Sequence, residues 1–229
     1  MKTFELMLAP MESHTDPKFR KSCHEKWADS TFTEMARISA LARKNKSTLN
    51  KIKIPEPIPT YIQLIGSKET ELDKFLKDFK PEKGFLGFNL NLGCPSPKMV
   101  QRGMGCALIK RISKVKKLVQ TIRDHGYPVS IKLRLGMNQF EKEKKNYLTL
   151  IKEVDADFFI VHANHGKENS DAPADFSVYE ECVKTGKIII ANGDIKTREQ
   201  IQHLKSIGLR GAMIGRAALN NKNLYKEFE

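Results

Sequence analysis

The feature that most constrains this chain is a rhythm of short apolar runs, each closed by a polar or glycine-containing turn and separated from the next by a helical stretch. The runs are Phe4 to Ala9, Ser30 to Met35, Thr60 to Ile65, Phe85 to Asn91, Val129 to Leu133, Phe158 to Val161, Ile188 to Ala191 and Gly211 to Ile214. Between them, Asp16-Pro17 starts a helix by capping and by proline at its first position. The stretch after Met35 reads as a helix giving way to a loop at Pro55, Pro57 and Pro59. Ser67 is expected to cap a helix through Leu72, Phe75, Leu76 and Phe79. Val115, Leu118, Val119 and Ile122 recur at helical spacing, as do segments around Phe140 to Val154, Val178 to Thr185 and Thr197 to Ile207. Strands apolar on both faces and alternating with helices belong to parallel sheets with right-handed crossovers. Counted to eight, the pattern predicts a (β/α)8 TIM barrel in a single domain over residues 1–229.

In such a barrel the residues just after each strand converge at one mouth, where active sites form. Here they are Met11-Glu12, Glu34-Met35, Gln63, Asn91 with Cys94, Lys132 with Arg134, His162 with Asn164, Asn192-Gly193-Asp194 and Gly215-Arg216. Cys94 stands out because a loop between glycine and proline is no place for a core-filling thiol, and a thiol can act as a proton donor or a nucleophile. Cys106, beside Ala107 and Leu108, reads as packing. Gly193 and Gly215-Arg216 follow the last two strands, where barrels bind phosphate through loop amides; the alternative for Gly193 is a tight turn and nothing more. Lys132 needs an anion or a salt bridge to Glu34 or Asp194, since a lone buried charge is costly. His162 reads equally as a donor to a cofactor and as a structural residue. Gln63 and Asn192 carry the donors and acceptors that a heterocycle edge requires.

Composition narrows the partners. Lys and Arg number 40 against 27 Asp and Glu, a formal net charge of +13, and a positive field of that size attracts polyanions, nucleic acid first. The lysines are spread along the chain, which fits a broad basic surface and also solvated helix faces. No apolar run reaches the roughly 18 to 20 residues of a membrane helix, and the N-terminus has no secretory core, so a cytoplasmic protein is expected. The four cysteines lie far apart without a Cys-x-x-Cys pair, so neither a metal site nor a disulfide framework is expected.

Read together, Ala9-Pro10-Met11, Thr33-Glu34-Met35, Gln63-Leu64, Asn91-Leu92-Gly93-Cys94-Pro95 with Lys98, Lys132-Leu133-Arg134-Leu135-Gly136, Val161-His162, Asn192-Gly193-Asp194-Ile195 and Met213-Ile214-Gly215-Arg216 resemble the flavin-dependent tRNA-dihydrouridine synthases. The resemblance implies a barrel that binds FMN and reduces the C5–C6 double bond of tRNA uridines, with NADPH or NADH recharging the flavin. It implies that Cys94 protonates C5 while hydride goes to C6, and that Asn91 holds the uracil. Pro10, Met11, Gln63, Lys132 and His162, with Glu12 beside them, would contact FMN; Asn192, Gly193, Asp194, Gly215 and Arg216 would hold its phosphate end. Lys98 and Arg134 would meet RNA, whose target base must be flipped out of its stack.

Two departures from the family accompany the likeness. Members usually continue into a C-terminal helical domain, whereas this chain ends at Glu229, so a partner chain or another surface is expected to grip the tRNA. The usual His-x-Arg is His162-Ala163-Asn164, with His165 and Lys167 as nearby substitutes. Competing readings are an FMN-dependent reductase of a free pyrimidine, as in the dihydroorotate dehydrogenase group, and a barrel that binds RNA without catalysis.

Overall fold

In the computed structural model, which describes residues 4–169, 172–221 and 223–228, the strands are β1 (Glu5–Leu8), β2 (Thr31–Phe32), β3 (Ala36–Arg37), β4 (Thr60–Ile65), β5 (Phe85–Leu92), β6 (Val129–Arg134), β7 (Phe159–His162), β8 (Ile189–Asn192) and β9 (Gly211–Ile214). The helices are α1 (Pro17–His24), α2 (Ile38–Leu41), α3 (Lys46–Lys51), α4 (Glu69–Asp78), α5 (Pro97–Gln101), α6 (Ile112–Asp124), α7 (Gln139–Glu143), α8 (Asn146–Glu153), α9 (Val178–Val183), α10 (Arg198–Ser206), α11 (Arg216–Asn220) and α12 (Leu224–Glu227), with a 3-10 turn at Gly105–Leu108. All strand pairs are parallel, in the order β1-β9-β8-β7-β6-β5-β4-β2, with β3 also on β4. The ring closes where the Leu8 amide donates to the Ser30 carbonyl at 2.9 Å and the Asp29 amide to the Leu6 carbonyl at 2.8 Å. The eight-stave barrel expected from the sequence is what the chain forms, its second stave split into β2 and β3.

That split has a local cause. The Gln63 amide donates to the Thr33 hydroxyl at 3.1 Å, so a side chain takes the place of a backbone carbonyl and the ladder is interrupted. The helix expected over 140–154 likewise divides, because Lys145 adopts a left-handed conformation (φ 52°) between α7 and α8. Asp16 and Pro17 begin α1 as expected, the carboxylate accepting from the Phe19 amide at 2.8 Å. Ser67 does not cap α4: the first turn starts after Lys68 without a side-chain cap, and Glu69 and Glu71 supply the negative charge that suits a helix N-terminus.

Alternation along the strands sorts their side chains into two cores. Leu6, Leu8, Ile62, Leu64, Phe88, Leu90, Ile131, Leu133, Phe159, Val161, Ile189 and Ile214 face the helices and pack with Leu118, Val119 and Ile122 of α6 and Leu150 and Ile151 of α8. Inside the barrel, Met7, Ala9, Phe32, Phe158, Ile160, Ile190 and Met213 form a second, smaller cluster. Tyr61 packs against it, stacked on Phe32 at 5.0 Å and edge-on to Phe158 at 5.4 Å.

Candidate active site

Parallel register sets the mouth residues side by side. Asn91 lies opposite Lys132, Arg134 opposite His162, and His162 opposite Asn192. A cleft opens above them, lined by Ala9, Pro10, Met11, Lys132, His162, Asn192, Gly193, Asp194, Lys196, Met213, Gly215 and Arg216. The residues expected to hold a phosphate-bearing cofactor are therefore gathered in one place, with two exceptions. Glu12 pairs with Lys51, which also reaches Glu34 at 3.2 Å, so its carboxylate is turned to that ion-pair cluster. Gln63 lies below the cleft, only 1% exposed, with both ends of its amide engaged by neighbouring amides. A larger cavity of about 420 Å³ lies on the outer wall among Leu41, Ile52, Ile54, Phe75 and Phe79. It is mostly apolar and shares no residue with the mouth, so we place the chemistry in the smaller cleft.

The cleft is built for an anion. Burial, then neighbouring Arg134, pulls Lys132 down to about 7. The carboxylates that could have neutralised Lys132 are taken: Glu34 by Lys51, and Asp194 by Lys196 at 2.9 Å and Arg216 at 3.4 Å. Desolvation, reinforced by Lys132, Arg134 and Arg216, holds His162 far below its ordinary value, so the ring is neutral. Its Nδ1 is buried without a hydrogen-bond partner. A neutral imidazole with one unsatisfied nitrogen beside a partly discharged lysine fits a bound group that offers both a polar edge and negative charge.

Gly193 and Asp194 turn the chain sharply after β8, both with positive φ (120° and 52°). A Cβ on Gly193 would also come within 3.2 Å of the Ala174 side chain. Tyr179 fixes the strand end beneath, its hydroxyl donating to the Asn192 carbonyl at 2.7 Å and accepting from the Asn192 amide at 3.0 Å. The Asn192 side chain donates to the Met213 carbonyl at 2.9 Å and so ties β8 to β9. Gly215 caps the short α11, which begins with Arg216.

Cys94 stands half-buried on the loop after β5, and it is a free thiol. Asn91 shapes this loop: its Oδ1 accepts from the Gly93 amide at 3.0 Å and the Cys94 amide at 2.9 Å. From the other side the Cys94 carbonyl accepts from the Cys106 amide at 3.1 Å. The turn carrying Cys106 approaches so closely that a Cβ on Gly105 (φ 59°) would sit 2.3 Å from the Cys94 oxygen, so only glycine fits there. Cys106 is buried, its thiol pushed up to about 12, in keeping with packing. Arg134 braces the loop, its Nε donating to the Gly93 carbonyl at 3.1 Å and Nη1 to the His165 carbonyl at 3.3 Å. Lys98 is exposed on α5, just beyond. Asn164 is buried, its amide donating to the Ala172 and Pro173 carbonyls at 3.3 Å. His165 pairs with Glu168 at 3.4 Å, and neighbouring Lys167 is exposed.

Gly105 closes against the Cys94 loop, and Asn89 and Ser130 are buried polar residues of β5 and β6; the sequence assigns a role to none of the three. The glycine repeat at Gly103 and Gly105 was the one visible signal of a close backbone approach; the other two sit inside otherwise apolar strands. Among the described residues there is no group of His, Cys, Asp and Glu that could hold a metal ion, and no helix is long and apolar enough to cross a membrane.

The family profile described as dihydrouridine synthase matches residues 7–229. A probable tRNA-dihydrouridine synthase of Aquifex aeolicus is 29% identical, over 98% of this chain and 72% of its own length. A probable tRNA-dihydrouridine synthase of Helicobacter pylori is 32% identical over 93% of the chain and 66% of its length. A tRNA-dihydrouridine synthase B of Pseudomonas syringae is 29% identical over 98% and 67%. The chain thus spans about two thirds of the length of such relatives. Among solved structures, an N-(5'-phosphoribosyl)anthranilate isomerase from Pyrococcus furiosus superposes with a TM-score of 0.56 at 14% identity, over 98% of this chain and 96% of the other, a likeness of fold.

Proposed function

The chain belongs to the dihydrouridine synthase family, and from that premise we propose that it reduces uridines of tRNA to 5,6-dihydrouridine, with FMN bound in the cleft and NADPH or NADH as reductant. The observation that carries this reading is the placement of a free thiol, Cys94, on a loop held by Asn91 and Arg134, which lie in register beside Lys132 and His162 of the cationic cleft. Bound FMN would supply hydride chemistry, which no protein side chain can provide. Pro10 and Met11 would flank it, Lys132 and His162 would meet its polar edge, and Asn192, Gly193, Asp194, Gly215 and Arg216 would hold its phosphate end.

The chain's own work is then orientation and proton supply. Cys94 donates a proton to C5 of the uracil, and the sulfur is left as thiolate until it is reprotonated from solvent. Asn91 uses both lone-pair directions of Oδ1 on the loop, which fixes the thiol's position, so its hold on the uracil falls to Nδ2, whose second proton meets only Met35 Sδ at 3.4 Å. Arg134, locked between two carbonyls, defines one side of the opening. The excess of basic residues, a net +13, holds the tRNA phosphates through counterion release while the base is turned into the mouth.

Incubating FMN-loaded protein and NADPH with tRNA lacking the modification, and mapping the product by mass spectrometry, tests the proposal. A gain of two hydrogens at a defined uridine is the expected result. Flavin bound and NADPH oxidised without any such gain would replace it with reduction of a small pyrimidine.

A further inference from the structure

Inside the barrel, β4, β5 and β6 turn a line of polar side chains toward one another. Gln63, Asn89 and Ser130 are 1%, 0% and 1% exposed, in an interior that is otherwise apolar on the opposite side. Their hydrogen bonds can run in only one direction. The Gly93 and Cys94 amides both donate to Asn91 Oδ1, at 3.0 and 2.9 Å, which settles the end of that amide that accepts. Asn91 Nδ2 must then donate, and it does so to Gln63 Oε1 at 2.9 Å. Gln63 therefore offers Nε2 to Asn89 Oδ1 at 2.8 Å, and Asn89 offers Nδ2 to Ser130 Oγ at 2.9 Å. The Ser130 hydroxyl faces the Phe88 carbonyl at 3.4 Å, where the line ends. Reversing Asn91 or Gln63 sets donor against donor at one end of the amide and acceptor against acceptor at the other, and reversing Asn89 sets its Nδ2 against Gln63 Nε2.

From this chain we infer that Asn89 and Ser130 are positioning residues for Cys94: acting through Gln63 and Asn91, they hold the two backbone amides that seat the thiol-bearing loop. The inference rests on the reading of Cys94 as the proton donor. A polar line through a barrel core costs stability unless every member is satisfied, and an apolar filling would serve stability alone at least as well. Its one unburied end is the Cys94 loop. Loss of the Asn89 amide takes the acceptor from Gln63 Nε2, and loss of the Ser130 hydroxyl takes the acceptor from Asn89 Nδ2 and frees Asn89, and through it Gln63, to turn; Asn91 Nδ2 is then left with the weak acceptor Met35 Sδ at 3.4 Å, and the loop slackens. A thiol displaced by a fraction of an ångström transfers its proton less well while tRNA binds as before.

Two readings on the same preparations test this: the rate at which iodoacetamide alkylates Cys94, followed by mass spectrometry, and the steady-state reduction of tRNA. Ser130→Ala and Asn89→Leu are each expected to change the Cys94 alkylation rate by about threefold or more, and to lower kcat about tenfold with KM for tRNA within about twofold. Ser130→Thr, which keeps the hydroxyl, is expected to restore both. Thr31→Val serves as the control. It breaks another buried hydroxyl pair, Thr31 with Thr60 at 2.9 Å, that has no link to Cys94, and it should leave both readings unchanged. Unmoved alkylation and kcat in Ser130→Ala, or an equal change in Thr31→Val, overturns the inference. Should Asn89→Leu not fold, Ser130→Ala decides alone. A shift in alkylation in a protein that reduces no tRNA would keep the positioning role and remove the reaction proposed above.

Discussion

The two halves of the barrel interior are made by one sheet and one alternation, yet they are filled in opposite ways. On the side of β1, β7, β8 and β9 the inward positions carry Met7, Ile160, Ile190 and Met213, joined by Phe158 and Phe32 in a dry cluster. On the side of β4, β5 and β6 they carry Gln63, Asn89, Asn91 and Ser130, linked by directional hydrogen bonds, and Lys132 opposite Asn91. The dry half gains from area removed from water and is indifferent to small rotations. The polar half gains little net energy but admits one arrangement, because each buried amide must find its complement. The half that carries orientation is also the half whose strand ends present the thiol and Lys132, while His162 and its orphaned nitrogen stand where the two halves meet at the mouth. Stability and precision have thus been assigned to different staves of the same cylinder.

The largest effect that would sharpen this contrast is on chemistry without stability. Cys94→Ala removes a half-buried thiol whose backbone, not its sulfur, makes the loop contacts, so fold and flavin retention should persist. Uridine reduction should fall by roughly 10² to 10⁴-fold, the usual worth of a positioned proton donor. Full activity in this variant would remove Cys94 from the mechanism. The converse effect belongs to the dry half. Ile160→Ala opens a cavity among residues that are essentially unexposed and should cost about 2–5 kcal/mol of stability in denaturant unfolding. Cys94 alkylation measured well below the transition should match the wild type, and a changed rate would break the division between halves.

How far the sequence revealed this arrangement depended on the distance over which each signal acts. β4 and β9 are legible to the residue because an apolar run bounded by turn residues is a local pattern. The mouth set from Pro10 to Arg216 follows once the strands are counted, since each member sits at a strand's end. What stayed hidden depends on pairs that only the closed barrel creates: Asn89 meets Ser130 across 41 residues, and Gly105 meets the Cys94 carbonyl across two turns. Glu12 is a strand-end residue by position, but its carboxylate is taken by Lys51, from a helix whose placement no strand-end pattern indicates. The resemblance assigned Gln63 and Asn91 to ligands, whereas the hydrogen bonds show what occupies those amides in the folded chain.

A tenfold-per-unit effect is expected at the boundary between the halves. Lys132 has its pKa drawn down to about 7, by burial first and Arg134 second. A bound anion stabilises the charged amine, so its pKa is higher in the complex than in the free protein. Below about 7 the lysine is charged in both states and flavin affinity should not vary with pH. Above it, binding must take up a proton, so affinity should weaken about tenfold per pH unit until the pKa of the complex is reached. Titrating FMN by fluorescence quenching from pH 6 to 9 measures this dependence (the pH range is about that over which the amine discharges). Lys132→Met should bind more weakly and show no such slope, and an unchanged slope in that variant would place the titrating group elsewhere.

The smallest effect tests whether polar character in the interior matters everywhere or only along the line to Cys94. Thr31 and Thr60 share a hydroxyl hydrogen bond of 2.9 Å on β2 and β4, and each hydroxyl also reaches a backbone carbonyl, of Pro59 at 3.2 Å and Ile58 at 3.0 Å. Valine matches threonine in shape, so Thr31→Val removes one donor and leaves its partner the Ile58 carbonyl. The cost should be only about 1 kcal/mol, a shift in melting temperature of about 2–4 °C for a chain of this size. Alkylation of Cys94 should be unaffected, because this pair touches neither Gln63 nor the loop after β5. A Thr31→Val variant with normal stability and altered thiol reactivity would show that strain spreads around the whole ring, and the contrast between the halves would then lie in composition alone.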